Sequence, residues 1–321
     1  MYFPTDFPAL AALRTREFVL TILSNRRSSP MKILAVLVFG LSLSSRAAAQ
    51  QIPLVIRCDD IGMCHTVNMA FERVIETGLP VSASVMFACP WYQEAVDVLK
   101  KHPEVSVGVH LTLNAEWKNY RWGPVAGAQA VPSLVDSCGY FFPSRAKLFG
   151  NHPTMLDIEK ELRAQIKRAM DSGLQIDYLD YHMSAAVETP ELKSLVERLA
   201  AEYKLGISRW FGEIDVRGVY SVEPDRKLDS LMVQLRDLRS SVINLLVFHV
   251  GMQTAEMNAL VDMNPFGPKN MSKHREAELG IITSKRFENL VRGPSFELLT
   301  YRQLIKRLGL NSMKRPTHPI E

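Results

Sequence analysis

The sequence has few of the cysteines that build small metal or redox sites. It contains only four cysteines in 321 residues, and no two of them form a C-x-x-C pair. This spacing excludes a zinc knuckle and a thioredoxin-type site. Cys58 and Cys89 lie in apolar, strand-like runs, so we interpret them as small buried thiols rather than as disulfide partners.

The sequence also has no apolar run long enough to span a membrane comfortably, which takes roughly 20 residues. The apolar run at residues 33–43 follows Met31-Lys32 and precedes Ser44-Ser45-Arg46-Ala47-Ala48-Ala49, in which small residues stand in an A-x-A arrangement. This order is typical of a secretory signal peptide. We therefore predict that residues 1–49 are a leader, that residues 1–30 are an over-long N-terminal assignment with Met31 as the working initiator, and that the protein is exported. The alternative is a retained N-terminal anchor.

Once the leader is set aside, the chain has no excess of either charge. The net charge of +4 comes wholly from residues 1–49, and the remainder has 32 basic and 32 acidic residues. A balanced chain without a basic run lacks the electrostatic signature of a nucleic-acid-binding protein. We expect no nucleic-acid partner and no stable membrane span after leader removal. A homodimer is one arrangement that the sequence allows.

Short apolar strands alternate with amphipathic helices along the rest of the chain, which suits one α/β domain over residues 50–321. Continuous apolar strands separated by helices predict a parallel sheet covered by helices. The number of units favours a closed, TIM-like (β/α) barrel of about seven strands. The predicted strands are residues 54–58, 81–87, 105–111, 176–181, 206–210, 242–248 and 296–300. The principal predicted helices are residues 155–172, 190–203, 225–239 and 273–290, with the residues from Gly280 as a candidate break in the last.

A long segment at residues 114–153 connects the third strand to the next helix and is rich in Gly, Pro and Trp. It exceeds the usual connection length, so we predict that it acts as a lid or a substrate wall. Its aromatic residues Trp117, Tyr120 and Trp122 are suited to stacking on a sugar. They are equally suited to packing the segment onto the rim of the barrel.

Ionisable residues follow the predicted strands at the point where each strand ends. The carboxyl ends of the strands of a parallel barrel open on one face, so these side chains are expected to meet there. They are Asp59 and Asp60 after the first strand, His110 after the third, Asp180 and His182 after the fourth, Arg209 after the fifth and His249 after the sixth.

This combination of side chains favours a metal-dependent hydrolase. One carboxylate and two imidazoles form a ligand set that leaves positions open for water and substrate, and a second carboxylate can accept a proton from that water. Asp59 and Asp60 repel each other, which a cation would relieve. A helix N-cap pair is the alternative, although Thr66 is better placed to cap the following helix. Spacing alone allows either aspartate to be the ligand.

At these positions the sequence resembles the YdjC-like carbohydrate deacetylases, which include chitooligosaccharide deacetylases. The resemblance runs in order over roughly residues 52–305. The matching segments are Ile56-Arg57-Cys58-Asp59-Asp60-Ile61-Gly62 with Asn68, Gly108-Val109-His110-Leu111-Thr112-Leu113, residues 132–136 with 139–141, residues 161–166 leading to Leu179-Asp180-Tyr181-His182, Phe248-His249-Val250-Gly251, and Arg275 with Glu278.

The resemblance implies a barrel of the polysaccharide-deacetylase type that removes an N-acetyl group from an amino sugar or oligosaccharide. Asp60, His110 and His182 would hold a divalent metal ion, Mg²⁺ or Zn²⁺. Asp59 would be the general base. His249 would be a candidate general acid that protonates the leaving amine.

By the same resemblance, Arg209 would orient Asp59. The chain departs from the family pattern in two places: Met183-Ser184-Ala185 stands where a further histidine is usual, and His249-Val250-Gly251 stands where His-Pro-Gly is usual. The first departure bears on chito-oligosaccharide specificity and the second on the role of His249.

Two other functions fit the same barrel. One is hydrolysis of a glycosidic bond by two carboxylates, which then stand on either side of the sugar. The other is a non-catalytic, exported carbohydrate-binding barrel.

Overall fold

The computed structural model describes residues 50–265 and 267–317. The leader, the start site and the export signal predicted at residues 1–49 lie outside the described residues. The described residues belong to one compact unit, Gln50–Glu321. None of the described helices combines the length and the apolar character that crossing a membrane requires.

The described part of the chain forms one parallel sheet of eight strands, as the continuous apolar runs predict. The order across the sheet is β5-β4-β3-β2-β1-β7-β6, and β8 pairs with the first half of β1. The strands are β1 (Ile52–Ile61), β2 (Ser82–Val85), β3 (Ser106–Leu111), β4 (Ile176–Tyr181), β5 (Gly206–Ile207), β6 (Glu213–Asp215), β7 (Ile243–Phe248) and β8 (Phe296–Leu299).

The barrel-like parallel sheet of about seven strands is confirmed, but the prediction that it closes is wrong. The sheet curls but ends at β5 and β6, which form no ladder with each other within the described residues. Arg209 has a left-handed backbone (φ 73°), which ends β5 before the predicted residue 210. The backbone N–H groups of Arg209 and Phe211 then both donate to the Glu213 carboxylate, at 2.9 and 2.8 Å. These hydrogen bonds turn the chain into β6, and the edge strands β5 and β6 do not pair with each other within the described residues.

The helices lie between the strands and cover the sheet. Their described ranges are α1 (His65–Glu76), α2 (Tyr92–Lys100), α3 (Arg145–Gly150), α4 (Met155–Asp171), α5 (Pro190–Tyr203), α6 (Lys227–Gln234), α7 (Ala255–Asn258), α8 (Met271–Ile282), α9 (Lys285–Val291) and α10 (Tyr301–Leu308). The helix predicted at 273–290 is two helices, because Ser284 accepts a hydrogen bond from Phe287 N and so begins α9 as its N-cap.

The inside of the curled sheet is filled by side chains rather than open. Tyr178 of β4 and Tyr301 of α10 stack there, with ring centroids 4.2 Å apart. Gly108 of β3 makes room for them, because a Cβ at that position would lie 2.4 Å from the Tyr178 ring. This packing supports the strand ends that carry the polar residues.

The segment at 114–153 is held in place by hydrogen bonds to α4. Buried Glu161 of α4 accepts hydrogen bonds from the backbone N–H groups of residues 125 and 126, both at 2.9 Å. Trp117 and Trp122 are only 1% and 3% exposed, so they pack the segment onto the barrel rim and present no face for a sugar. Of the two roles that the sequence left open for these tryptophans, the structure shows packing.

Candidate metal centre

Asp59 and Asp60 both reach the site because β1 is irregular at its end. The pairing of β1 with β2 shifts register between Cys58 and Ile61. Asp60 has a left-handed backbone, with φ 64°. Successive side chains of a regular strand point to opposite faces, and such an irregularity re-aims one of them. Both carboxylates are therefore buried at the carboxyl end of the strand.

Three donor atoms converge on one point at this end of the sheet. Asp60 Oδ1 lies 3.4 Å from His110 Nε2 and 3.3 Å from His182 Nδ1. Ligand atoms held at about 2 Å from a tetrahedral ion lie roughly 3.3 Å from one another. All three side chains are buried, and Asp60 Oδ1 accepts no hydrogen bond from the described residues. A buried carboxylate oxygen without a donor, facing two imidazole nitrogens, fits a divalent metal ion.

A second cluster, formed by Asp59, His110 and Asp180, is close enough to hold a metal ion but already contains a cation. Arg57 binds both Asp59 oxygens, through Nε at 2.6 Å and Nη2 at 2.7 Å. Its Nε also lies 3.3 Å from Asp180. Because a metal ion there would meet the guanidinium charge, Asp60, His110 and His182 are the better candidate set for a metal ion.

A carboxylate stands behind each histidine of that set. Asp180 Oδ2 lies 2.9 Å from His110 Nδ1, and Glu116 Oε2 lies 3.0 Å from His182 Nε2. Such partners select the ring tautomer and orient the nitrogen that faces a metal. Burial alone would lower the pKa of both imidazoles. The charges of Asp180 and Asp59 instead raise the pKa of His110 to about 9, and Glu116 and Asp60 raise that of His182 to about 10. The pocket therefore favours positive charge.

Both aspartates of the pair are held ionised. Burial acts to raise the pKa of Asp59, but the charge and hydrogen bonds of Arg57 outweigh it and hold that pKa far below the ordinary value. Burial also acts against ionisation of Asp60, and Arg275 of α8, with Nη2 2.5 Å from Oδ2, lowers its pKa well below the ordinary value. Neither carboxyl is a proton donor near neutral pH.

His249 follows β7 at the same end of the sheet. Its backbone N–H donates to Glu278 Oε2 at 2.7 Å, while its Nδ1 has no hydrogen-bond partner among the described residues. Burial lowers the pKa of the ring, although the charges of Asp60 and Asp59 act in the opposite direction. His249 thus stands beside the site with a free ring nitrogen.

The predicted role of Arg209 is corrected. Its guanidinium binds Asp215 at 2.7 Å through both Nε and Nη2, at the edge of the sheet. Arg57 holds Asp59 instead. Residues two apart on a strand point to the same face, so the spacing of Arg57 and Asp59 on β1 was the available signal.

Sequence reasoning assigned no role to three further residues of the site. Asp180 was noted as a strand-end residue, and it lies opposite His110 in the register of β3 and β4. Arg275 was noted in the family motif, but its contact with Asp60 spans 215 positions of sequence. Glu116 lies in the long segment, where no periodic pattern marks it. An isolated bridge between Trp117 and Asp262 fixes that part of the segment near His182.

Comparisons with known proteins show the family of this chain. The family model for YdjC-like proteins matches residues 53–293. The chain belongs to the YdjC-like family. A carbohydrate deacetylase of Brevibacillus brevis is 27% identical over 264 residues, which cover 78% of this chain and 99% of that protein. One from Geobacillus stearothermophilus is 29% identical over 261 residues, covering 78% and 98%.

A solved structure shares the fold. It is that of an Enterococcus faecalis protein described as a candidate cellobiose-phosphate cleavage protein. The two chains match with a TM-score of 0.64 at 21% identity, over 79% of this YdjC-like chain and 99% of the other. The curled parallel sheet is therefore a shared architecture.

Replacing Arg57 or Arg209 by lysine, one at a time, tests which of the two orients Asp59 in this YdjC-like protein. Arg57→Lys keeps the charge but loses the two-pronged contact, so we expect kcat to fall by roughly one to two orders of magnitude. Metal content should stay near one ion per chain. Arg209→Lys is the matched control, with kcat within about threefold of wild type, since its partner Asp215 lies at the sheet edge. The reverse result, with Arg209→Lys the more damaging, would restore the original assignment.

Glu116→Gln tests the carboxylate behind His182. The amide is nearly the same size but cannot stabilise the imidazole as a carboxylate does, so we expect metal affinity to fall by about 10- to 100-fold. The measurement is a competition titration against a chelator of known affinity. Glu188→Gln is the control, because this exposed glutamate contacts Arg145 instead. Equal metal affinity in the two variants would show that Glu116 does not support the ligand.

Proposed function

We propose that this protein is a metal-dependent hydrolase that removes the N-acetyl group from an amino sugar or oligosaccharide. One observation carries the proposal: Asp60 Oδ1, His110 Nε2 and His182 Nδ1 converge in a buried pocket beside an ionised carboxylate, Asp59, that Arg57 holds. The names of the relatives support the same reaction class. Those two curated relatives match this chain over 98–99% of their own length.

The donor set favours a zinc-like ion over magnesium. Mg²⁺ prefers oxygen ligands in octahedral geometry, whereas two imidazoles and one carboxylate suit Zn²⁺ and similar transition metals. A divalent ion held by Asp60, His110 and His182 would lower the pKa of water and polarise the acetyl carbonyl. Arg275 takes the second oxygen of Asp60, which leaves Oδ1 for the metal.

Asp59 is then the base. It is ionised, buried beside the ligand set, and bound by Arg57 rather than by either histidine of the ligand set. The attacking water gives its proton to Asp59 while its oxygen bonds to the acetyl carbon. Breaking the C–N bond then requires a proton on the leaving nitrogen. Burial lowers the pKa of His249, so its ring is neutral at rest, and it would pass on the proton that Asp59 took from the water. The products are acetate and the free amine.

Glycosidic hydrolysis is disfavoured by the electrostatics of the aspartate pair. A glycosidase needs one carboxyl that remains protonated to donate to the leaving oxygen. Asp59 and Asp60 both have a pKa shifted downward by arginines, so neither is that acid. A non-catalytic sugar-binding barrel would have no need of a base held beside a complete ligand set.

We also propose that residues 1–49 direct export. The basic start, the short apolar run and the small residues that follow support it. The test is expression with and without residues 1–49, followed by fractionation and N-terminal sequencing of the mature chain. Recovery of the intact N-terminus in the membrane fraction would favour the retained anchor instead.

The reaction class is tested by product analysis. Metal-loaded protein is incubated with triacetylchitotriose, and the products are separated by mass spectrometry with acetate assayed in parallel. The proposal predicts acetate and a trisaccharide that has lost acetyl groups with its glycosidic bonds intact. Shorter sugars without acetate would indicate a glycoside hydrolase, and binding without any product would indicate a sugar-binding protein.

A further inference from the structure

Tyr220 has an exposed aromatic ring that lies beside His249. Its side chain lies in the segment before α6 and is 39% exposed. The ring centroid is 5.1 Å from that of His249, with the ring planes at 63°. Burial raises the pKa of its hydroxyl, and the charges of Arg275, Glu116 and Asp60 also act on it. The ring therefore borders the pocket next to the proposed acid.

A buried lysine holds the backbone of Tyr220. Lys227 of α6 is 0% exposed, and its Nζ donates to Val219 O at 2.6 Å, Tyr220 O at 2.9 Å and Glu278 Oε1 at 2.8 Å. An ammonium group has three N–H donors. Each has a partner, so the group has one fixed position.

The same ion pair holds His249. Glu278 of α8 uses Oε1 for Lys227 and Oε2 for the backbone N–H of His249, at 2.7 Å. Arg275, one turn earlier on α8, binds the metal ligand Asp60. One helix thus fixes the metal ligand and the proposed acid, and through Lys227 it also fixes the Tyr220 segment.

Stability alone does not explain this pair. Removing two charges from water is costly, and apolar residues of similar size often serve stability equally well. The remaining hydrogen bonds of this buried ion pair reach the backbone of Val219, Tyr220 and His249, so a positioning role explains the pair better. Trp117 and Trp122 cannot take the role of a sugar-facing ring, because both are buried.

We propose that Tyr220 is a substrate-contacting residue whose ring packs against the sugar next to His249, and that the Lys227–Glu278 pair positions both residues. The inference rests on the proposed function, because it assigns the sugar-binding wall of that site. An aromatic face suits the C–H face of a pyranose ring. The ring of Tyr220 is exposed and lies beside His249.

The test is steady-state kinetics of acetate release from triacetylchitotriose. Tyr220→Ala should raise KM about tenfold while kcat changes less than about threefold, since the lost contact is made equally before and during reaction. Tyr220→Trp keeps an aromatic face and should recover most of that KM. Lys227→Met with Glu278→Gln removes both buried charges and keeps an acceptor for His249 N–H, so the double variant should fold. The double variant should also raise KM, while its metal content stays unchanged.

Tyr203→Ala is the matched control. This half-buried tyrosine is the last residue of α5. That helix follows β4 and leads away from the strand ends that carry the candidate metal ligands, so Tyr203 lies at the opposite end of the sheet. Its loss should lower the melting temperature without changing KM. A Tyr220→Ala variant with wild-type KM, or an equal rise in KM in Tyr203→Ala, would overturn the inference.

Binding separates this inference from the proposed function. The dissociation constant of triacetylchitotriose is measured by calorimetry on the metal-loaded Asp59→Asn protein, with and without Tyr220→Ala. A tenfold weaker Kd supports the role of Tyr220 even if the wild-type protein releases no acetate, a result that would contradict the proposed function alone. Equal Kd values would contradict the role of Tyr220 alone. A wild-type protein that neither binds nor cleaves the trisaccharide would contradict both.

Discussion

Asp59→Asn is expected to lower kcat for acetate release by about 10³-fold, because general-base catalysis contributes roughly 10²- to 10⁴-fold and an amide cannot accept the proton. The size of the side chain is preserved, so packing at the end of β1 should persist. Metal content should remain near one ion per chain, since Asp59 is bound by Arg57 and stands outside the ligand set. The measurement pairs initial rates with elemental analysis of the same samples.

Asp171→Asn is the control for that substitution. This exposed aspartate ends α4 and contacts Lys167, so its loss should leave kcat within about twofold, as for most surface pairs. Asp60→Asn is the reciprocal variant and should lose metal. If Asp59→Asn lost the metal and Asp60→Asn kept it, the two aspartates would have exchanged roles.

His110→Ala should weaken metal binding by more than about 100-fold, because replacing even an outer partner of a ligand costs 10- to 100-fold. It also leaves Asp60 and Asp180 without the imidazole between them. Activity at ordinary metal concentration should fall below detection and return in part with excess metal. Affinity is measured by chelator competition.

The control for His110→Ala is His102→Ala. His102 is an exposed histidine paired with Glu104, and it lies before the start of β3, at the opposite end of that strand from His110. Its metal affinity and rate should equal those of the wild type. Unchanged metal binding in His110→Ala would remove this residue from the ligand set and with it the geometry proposed for the site.

The architecture was largely predictable from strand content. The predicted strands at 105–111 and 176–181 are β3 and β4 to within one residue, because short, largely apolar segments alternate there with amphipathic helices. The parallel α/β sheet is confirmed, whereas closure was wrong. A three-residue strand such as β6 has too few residues for a periodic signal, and strand pairing at the edges depends on local backbone turns such as that at Arg209.

The site was predictable where its residues end strands. The topology brings Asp59, Asp60, His110 and His182 together, as their positions at strand ends predicted, and the family membership is confirmed. The assignment of base and ligand within the aspartate pair stays a prediction. Arg275 could not be placed by sequence alone, because it reaches the site from a helix whose position depends on tertiary packing.

The position of Glu116, which lies in a loop, could not be predicted from the sequence for the same reason. Its position depends on a backbone bridge between Trp117 and Asp262, two residues far apart in sequence. No hydrophobic period or turn signal marks such a contact. Residues that support a ligand from loops are therefore the part of a site that a single sequence reveals least.

The most direct measurement is the rate of acetate release as metal is titrated back into stripped protein. The protein is freed of metal with a chelator, dialysed, and assayed on triacetylchitotriose after stepwise addition of Zn²⁺. The metal centre of Asp60, His110 and His182 predicts no release at zero metal and a rate that rises to a plateau at one ion per chain. Acetate release that persists in fully stripped protein would contradict a metal-dependent deacetylase.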